Sequence, residues 1–192
     1  MEYITTNEQL AKAAQEWGEK KEIGIDIECE NNLHHYGAYI ALVQISTKTK
    51  DYVVDVLAVT EFSPLIEVLE NSAIEKIFHD VGFDLRIIHK EFDCRPKNLF
   101  DTQIAALLLG KEKIGLDSLL EGLGVKKEKK FQMADWTKRP LKKEMLEYAV
   151  KDTAYLIRLR DMLRKELEKK GRLAWVEEEC NHVENNEWEY KE

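Results

Sequence analysis

The sequence predicts an α/β domain, a central sheet covered by helices on both faces. Three observations carry this. Short runs rich in Val and Ile alternate with polar turns through the first half of the chain. The second half turns to apolar residues at helical spacing. The 192 residues suffice for one α/β core and are too few for two comfortable domains.

In order, Thr6-Asn7-Glu8-Gln9 opens a helix to about residue 20, with Leu10, Ala13, Ala14 and Trp17 on one face. Thr6 stands at the N-cap, and Gln9 follows three residues on. Residues 22–28, 39–47 and 51–56 read as strands. The first two are nearly continuous apolar runs, so they belong in the middle of a buried sheet. Residues 61–70 read as a helix, 76–79 as a fourth strand, and a helix runs from Gly82 to about Glu91. Asn98-Leu99-Phe100-Asp101 is a short fifth strand. Residues 102–109 and 116–123 then read as helices, and 141–169 as one long amphipathic helix. Gly122 and Gly124 end one helix, and Pro140 marks the start of the next. Residues 1–176 are expected to form the functional domain. Residues 177–192 form an acidic C-terminal segment whose last ten residues are polar enough to fray.

Composition narrows the function. No stretch approaches the length of a membrane span, and the opening Met1-Glu2-Tyr3-Ile4-Thr5-Thr6 lacks the regions of a signal peptide. Cys29, Cys94 and Cys180 are odd in number and far apart. That argues against a disulfide framework and a zinc site and points to a reducing, cytoplasmic setting. A net charge of −8 argues against a tight architectural binder of nucleic acid. It weighs less against an enzyme that holds strands briefly through metal ions and a local basic rim.

Four acidic residues and a tyrosine carry the chemistry: Asp26 and Glu28, Asp84, and Tyr148 with Asp152. Taken singly, each has a bland reading, since 37 of the 192 residues are acidic. Asp26 and Glu28 could be a solvated strand end, Asp84 a helix N-terminal charge, and Tyr148 with Asp152 a surface pair on a helix. Asp26 and Glu28, however, share one face of a strand whose Ile23, Ile25 and Ile27 belong inside a sheet. If all four carboxylates converge at about 6 Å, each like-charge pair costs roughly 2–3 kcal/mol at an effective dielectric of about 20. Six pairs then approach about 15 kcal/mol, an upper bound that rivals a whole domain's stability. Divalent cations are the natural remedy, and hard oxygen ligands around a tyrosine suit phosphodiester cleavage.

These residues, in this order, resemble the DEDD superfamily of 3′–5′ exonucleases, and Tyr-x-x-x-Asp places the resemblance in its tyrosine branch. Phe131-Gln132-Met133-Ala134-Asp135-Trp136-Thr137-Lys138-Arg139-Pro140-Leu141 is similar to the ribonuclease D group, as are Leu42-Val43-Gln44-Ile45-Ser46 and Phe100-Asp101-Thr102. The resemblance covers roughly residues 3–176. It implies a ribonuclease H-like fold, a mixed five-stranded sheet with its second strand antiparallel, flanked by helices. A meander of the first three strands agrees with that. Such proteins usually carry one or two helical nucleic-acid-binding (HRDC) domains after the exonuclease domain, and no such domain is expected in these residues.

The resemblance also implies roles. Asp26, Glu28 and Asp152 would hold one of two divalent cations, Mg2+ or Mn2+, beside the attacking water. Asp26 would bridge to the second, with Asp84 contributing through water. Tyr148 would orient the water, since a pKa of about 10 makes it a poor base. Nucleoside 5′-monophosphates would leave one at a time from the 3′ end of single-stranded RNA, such as a tRNA precursor. Lys129 and Arg139 are candidate strand contacts, and His79 lies where it could line the site. Lys126, Lys127 and Lys130 could touch phosphates, though for any one of them a solvated loop is the slightly favoured reading. Arg139 could instead pin its loop through Asp135, Trp136 reads as core, and His34 and His35 have no assigned role. The rivals are a single-strand DNA exonuclease and a non-catalytic scaffold that binds nucleic acid or protein. The second has little reason to keep so costly a charge cluster. No protein partner is indicated.

Overall fold

The computed structural model describes residues 1–126 and 130–186. In chain order the elements are β1 (Glu2–Ile4), α1 (Asn7–Gly18), β2 (Glu22–Asn31), β3 (Ala38–Ser46), β4 (Asp51–Asp55) and α2 (Ser63–Glu70). They continue with β5 (Glu75–Phe78), α3 (Gly82–Phe92), β6 (Leu99–Asp101), α4 (Thr102–Leu108), α5 (Leu116–Glu121), α6 (Lys143–Val150), α7 (Leu156–Lys169) and α8 (Leu173–Glu184). The strands form one mixed sheet in the order β1-β4-β3-β2-β5-β6. β3 runs antiparallel to both β2 and β4, while β1 pairs parallel with β4, and β5 and β6 extend the sheet parallel to β2.

The expected α/β architecture and antiparallel second strand are present, but the sheet has six strands rather than five. The additional one is β1, a three-residue edge strand beside Tyr52, Val53 and Val54. Three residues are too few to show a period of two, so only pairing with β4 defines it. α1 begins as expected: the Thr6 hydroxyl accepts from Gln9 N, and the Gln9 side chain accepts from Thr6 N, both at 3.2 Å.

A second correction concerns residues 141–169, which form two helices instead of one. Between α6 and α7 the bonds tighten to a three-residue spacing: Lys151 N to Tyr148 O, Asp152 N to Ala149 O, and Thr153 N to Val150 O. Tertiary contacts explain the break. The Thr153 hydroxyl is 2.7 Å from that of Ser46 on β3, holding the turn against the sheet. Farther along, buried Arg160 on α7 pairs with Glu75 and, at 3.7 Å, with Glu22, fastening α7 across the starts of β5 and β2.

The boundary expected at residue 176 falls inside α8. That helix buries Val176 and Cys180. The Cys180 sulfur accepts from Asp101 N at 3.3 Å, and Glu184 accepts from Asn98 N at 2.8 Å. Residues through Glu184 are therefore part of the domain, because an apolar stripe covers β6 despite the acidic outer face. Among the described residues, no helix is long and apolar enough to cross a membrane.

Lys76 on β5 is fully buried, its Nζ donating to the Asn71 carbonyl at 2.6 Å. Burial pulls its pKa from 10.5 down to about 8. Between those values the unfolded chain holds a proton that the folded chain lacks, so this group makes stability rise with pH across that window. Lys76→Met is expected to be more stable than the parent near neutral pH by up to about 3 kcal/mol. The difference should shrink as pH rises from about 8 to about 10.5, which urea denaturation at both ends would read.

Candidate active site

The site forms where β2 meets the α6–α7 turn. Gly24, Asp26 and Glu28 alternate onto one face of β2, and register places Ser46, Gln44 and Leu42 of β3 opposite them. Just beyond Glu28 the pairing slips, with Glu28 opposite Leu42 but Cys29 opposite Ile40. Such a bulge bends the strand locally and re-aims its side chains. Asp152, at 7% exposure, enters from the α6–α7 turn. One carboxylate oxygen from each of Asp26, Glu28 and Asp152 lies within 4.8 Å of the other two.

Gly24 makes this approach possible. A Cβ there would stand 2.9 Å from the Thr153 carbonyl oxygen and 3.1 Å from Leu156 Cβ. Backbone, not a flexible side-chain tip, would have to move. Gly24→Ala is expected to displace Asp152 and lower turnover by roughly 100-fold, with Tm falling by a few degrees. Steady-state rates and thermal melts on the same sample would check both.

The neighbours of the three carboxylates fit a hydrated divalent cation. All donors are oxygens, as Mg2+ or Mn2+ prefers. Gln44, opposite Asp26, is fully buried, and neither its amide nitrogen nor its oxygen has a protein hydrogen-bond partner. A buried amide left so beside a carboxylate cluster calls for bound water or a ligand.

Asp84 stands in the first turn of α3 and is 9% exposed. It is not in the tight group of three. Burial, then the nearby charges of Asp80 and Asp101, push its pKa well above the usual carboxylate range. Cys29 links the two acidic groups. Its thiol is raised to about 12 by burial and by Asp84, Glu28 and Asp26 in that order. The turn before α3 is fastened by Asp101, which accepts from Asp80 N at 3.1 Å and Val81 N at 2.9 Å while capping α4. His79 lies at the same end of the sheet, its Nδ1 2.9 Å from the Thr102 hydroxyl. That hydroxyl donates to the Phe78 carbonyl at 3.1 Å, so the histidine Nδ1 carries the proton of their contact.

Tyr148 is on α6, 7% exposed, one turn ahead of Asp152. The two do not share a straight helix, as expected from their spacing, because the helix breaks between them. The Tyr148 ring stacks beside Trp136 (centroids 6.2 Å apart) and meets Phe131 edge-on at 5.5 Å. Trp136 is 3% exposed in a cluster with Leu42, Val53 and Leu146, in keeping with its reading as core.

Arg139 differs from expectation. Its Nε and one terminal nitrogen donate to the two Asp55 oxygens at 2.6 and 2.7 Å, and the remaining N–H groups reach the carbonyls of Trp136, Lys138 and Ala41. A guanidinium has five N–H donors, and all are engaged within the chain. None remains for a phosphate, so Arg139 is a strut of its loop, and its acidic partner is Asp55 rather than Asp135. Lys130 pairs with Glu144 at 3.1 Å. Lys127 and Lys129, the latter proposed as a strand contact, lie outside the described residues. Sequence reasoning missed Gly24, Ser46, Thr153 and Asp55. Only the quoted run Leu42-Val43-Gln44-Ile45-Ser46 carried a signal for any of them.

A mixed sheet of this order with a carboxylate trio gathered at β2 is the architecture of ribonuclease H-like nuclease domains. The chain belongs to the 3′–5′ exonuclease family, whose model matches residues 1–168. It is 35% identical over 190 residues to the exosome complex exonuclease RRP6 of Saccharomyces cerevisiae, covering 98% of this chain and 26% of that protein. It is 38% identical over 186 residues to ribonuclease D of Zymomonas mobilis, covering 94% and 47%. Escherichia coli RNase D, described as an exoribonuclease involved in structured RNA processing, matches at a TM-score of 0.88 and 30% identity over 95% of this chain and 49% of its own. Brucella melitensis NrnC, solved with bound Mg2+, matches at 0.82 and 26% identity over 95% and 89%. The chain spans about half the length, or less, of the curated relatives it matches.

Proposed function

We propose that the protein is a 3′–5′ exoribonuclease of the ribonuclease D type, releasing nucleoside 5′-monophosphates from single-stranded RNA with two Mg2+ or Mn2+ ions. The observation that carries this reading is the convergence of Asp26, Glu28 and Asp152, one oxygen of each within 4.8 Å of the others, with Tyr148 one turn before Asp152 in the chain. Asp26, Glu28 and Asp152 would hold the cations, with Asp84 at the second. Bound divalent cations supply activation of a water and neutralisation of charge on the leaving oxygen.

The chain's own groups do the remaining work. Tyr148, clamped between Trp136 and Phe131, has a fixed ring, so its hydroxyl can orient a water toward the scissile phosphorus without giving up a proton. The Ser46–Thr153 bond and the absent Gly24 side chain fix Asp152 against β2. Burial and the charges of Asp80 and Asp101 disfavour the ionised form of Asp84, a cost that a cation bound there would offset.

The test is a time course on 5′-labelled single-stranded RNA, with its DNA counterpart alongside, in Mg2+ or Mn2+ and in EDTA. A metal-dependent ladder shortening from the 3′ end is expected, faster on RNA. Faster shortening of DNA would reassign the substrate. Internal cuts, or no shortening of either strand, would remove the exonuclease reading.

A further inference from the structure

A second group of ligand-bearing side chains lies outside the carboxylate trio. We propose that Glu30, His34, His35 and Asp135 form a site for a transition-metal ion, Zn2+ by its chemistry, that clamps the β2–β3 loop to the loop before α6. Donor atoms of Glu30, His34 and Asp135 lie within 4.8 Å of one another. His35 Nε2 stands 3.3 Å from Asp135 Oδ2, and His34 Nδ1 is 3.6 Å from Glu30 Oε2.

The carboxylates are already oriented. Glu30, at 2% exposure, turns Oε1 to the backbone N–H groups of Leu33 and His34, at 2.5 and 2.9 Å. Asp135 turns Oδ1 to the N–H and hydroxyl of Thr137, at 3.0 and 2.6 Å. In each case one oxygen is tied down within its own loop and the other faces a histidine. Metal sites are built this way, with outer hydrogen bonds fixing the ligands before the ion arrives. The Thr137 hydroxyl, with its N–H, also holds Asp135 down at about 2, so its carboxylate is ionised and ready to ligate at neutral pH.

Donor chemistry separates this site from the trio. Two imidazoles with two carboxylates favour Zn2+ or a similar borderline ion, whereas an all-oxygen set favours Mg2+ or Mn2+. The cysteine pattern argued against a zinc site, and this proposal departs from that reading because imidazoles and carboxylates replace the thiolates. Its location gives it a consequence. Glu30 follows Glu28 by two residues, and Asp135 precedes Trp136, whose ring stacks beside Tyr148. An ion held here would join the two segments that flank the active centre.

The test uses the full chain carrying Asp152→Asn, which weakens the all-oxygen site, titrated with Co2+ as a spectroscopic stand-in and with Zn2+ by calorimetry. About one equivalent should bind with the visible absorption of a nitrogen-and-oxygen-ligated ion. Adding His34→Ala or Asp135→Asn should weaken binding at least about ten-fold, and Thr137→Val should weaken it through Asp135. Unchanged metal-free melting of the His34→Ala protein would show that it folds. Should it not fold, His35→Ala, at the more exposed ring, serves as the second variant. Binding that ignores these substitutions, or no binding below about millimolar ion, would overturn the proposal. These contacts would then be loop-pinning hydrogen bonds alone.

Discussion

Asp152→Asn is expected to reduce the rate of RNA hydrolysis by about three orders of magnitude while leaving the fold intact or more stable in the absence of metal. The two halves of this result have one cause. With one carboxylate oxygen of each residue within 4.8 Å of the others, each like-charge pair of the trio costs roughly 3–4 kcal/mol at an effective dielectric of about 20. Asp26 and Glu28 are partly exposed, so solvent reduces that figure. The isosteric amide removes one charge from two such pairs, and the metal-free protein relaxes. The same change removes a ligand the cations need. A substitution that merely damaged the fold would lower activity and Tm together. Thermal melts of both proteins in EDTA and in Mg2+, beside single-turnover rates, would distinguish these outcomes. The parent should gain more stability from Mg2+ than the variant does.

Arg139→Ala is expected to cost about 3 kcal/mol or more, lowering Tm by roughly 10 °C. Asp55 has a side chain 3% exposed. Burial works to raise its pKa, but hydrogen bonds from Arg139 and from the Tyr3 hydroxyl hold it below the usual carboxylate range. Truncating Arg139 leaves that carboxylate buried without its main counter-charge. It also frees the Trp136 and Ala41 carbonyls from their guanidinium donors. Activity should fall as well, because Trp136 no longer holds Tyr148 firmly. The control is the pair Arg139→Met with Asp55→Leu. Removing both charges should recover much of the stability, since an apolar replacement of a buried pair is often nearly neutral. Failure of the pair to recover would mean that the guanidinium's carbonyl contacts, rather than the ion pair, carry the effect.

Local patterns were legible in the sequence where local forces act. The Val- and Ile-rich runs became β2 to β4, Thr6 and Gln9 formed the reciprocal cap, and the Asp-x-Glu spacing put Asp26 and Glu28 on one face. The features that escaped depend on distant partners. The break after Val150 is held by Thr153 against Ser46, 107 residues away, and helical spacing across 141–169 cannot reveal it. Arg139 finds Asp55 84 residues away, so its neighbour Asp135 looked like the better partner. Gly24 lies inside an apolar run and carries no local signal of its own. Its role follows only from the carbonyl that a side chain there would strike. His34 and His35 carried no periodic signal, and only the fold brings Asp135 to them.

The most direct measurement of the central claim is the release of nucleoside 5′-monophosphate from single-stranded RNA, as a function of Mg2+ concentration, by the parent and by Asp152→Asn. The parent should release monophosphates from the first turnover, with a rate that rises with Mg2+ and vanishes in EDTA. The variant should be slower by about three orders of magnitude at any Mg2+ level. Equal rates in the two proteins, or release that persists in EDTA, would contradict the assignment of Asp26, Glu28 and Asp152 as the catalytic metal site.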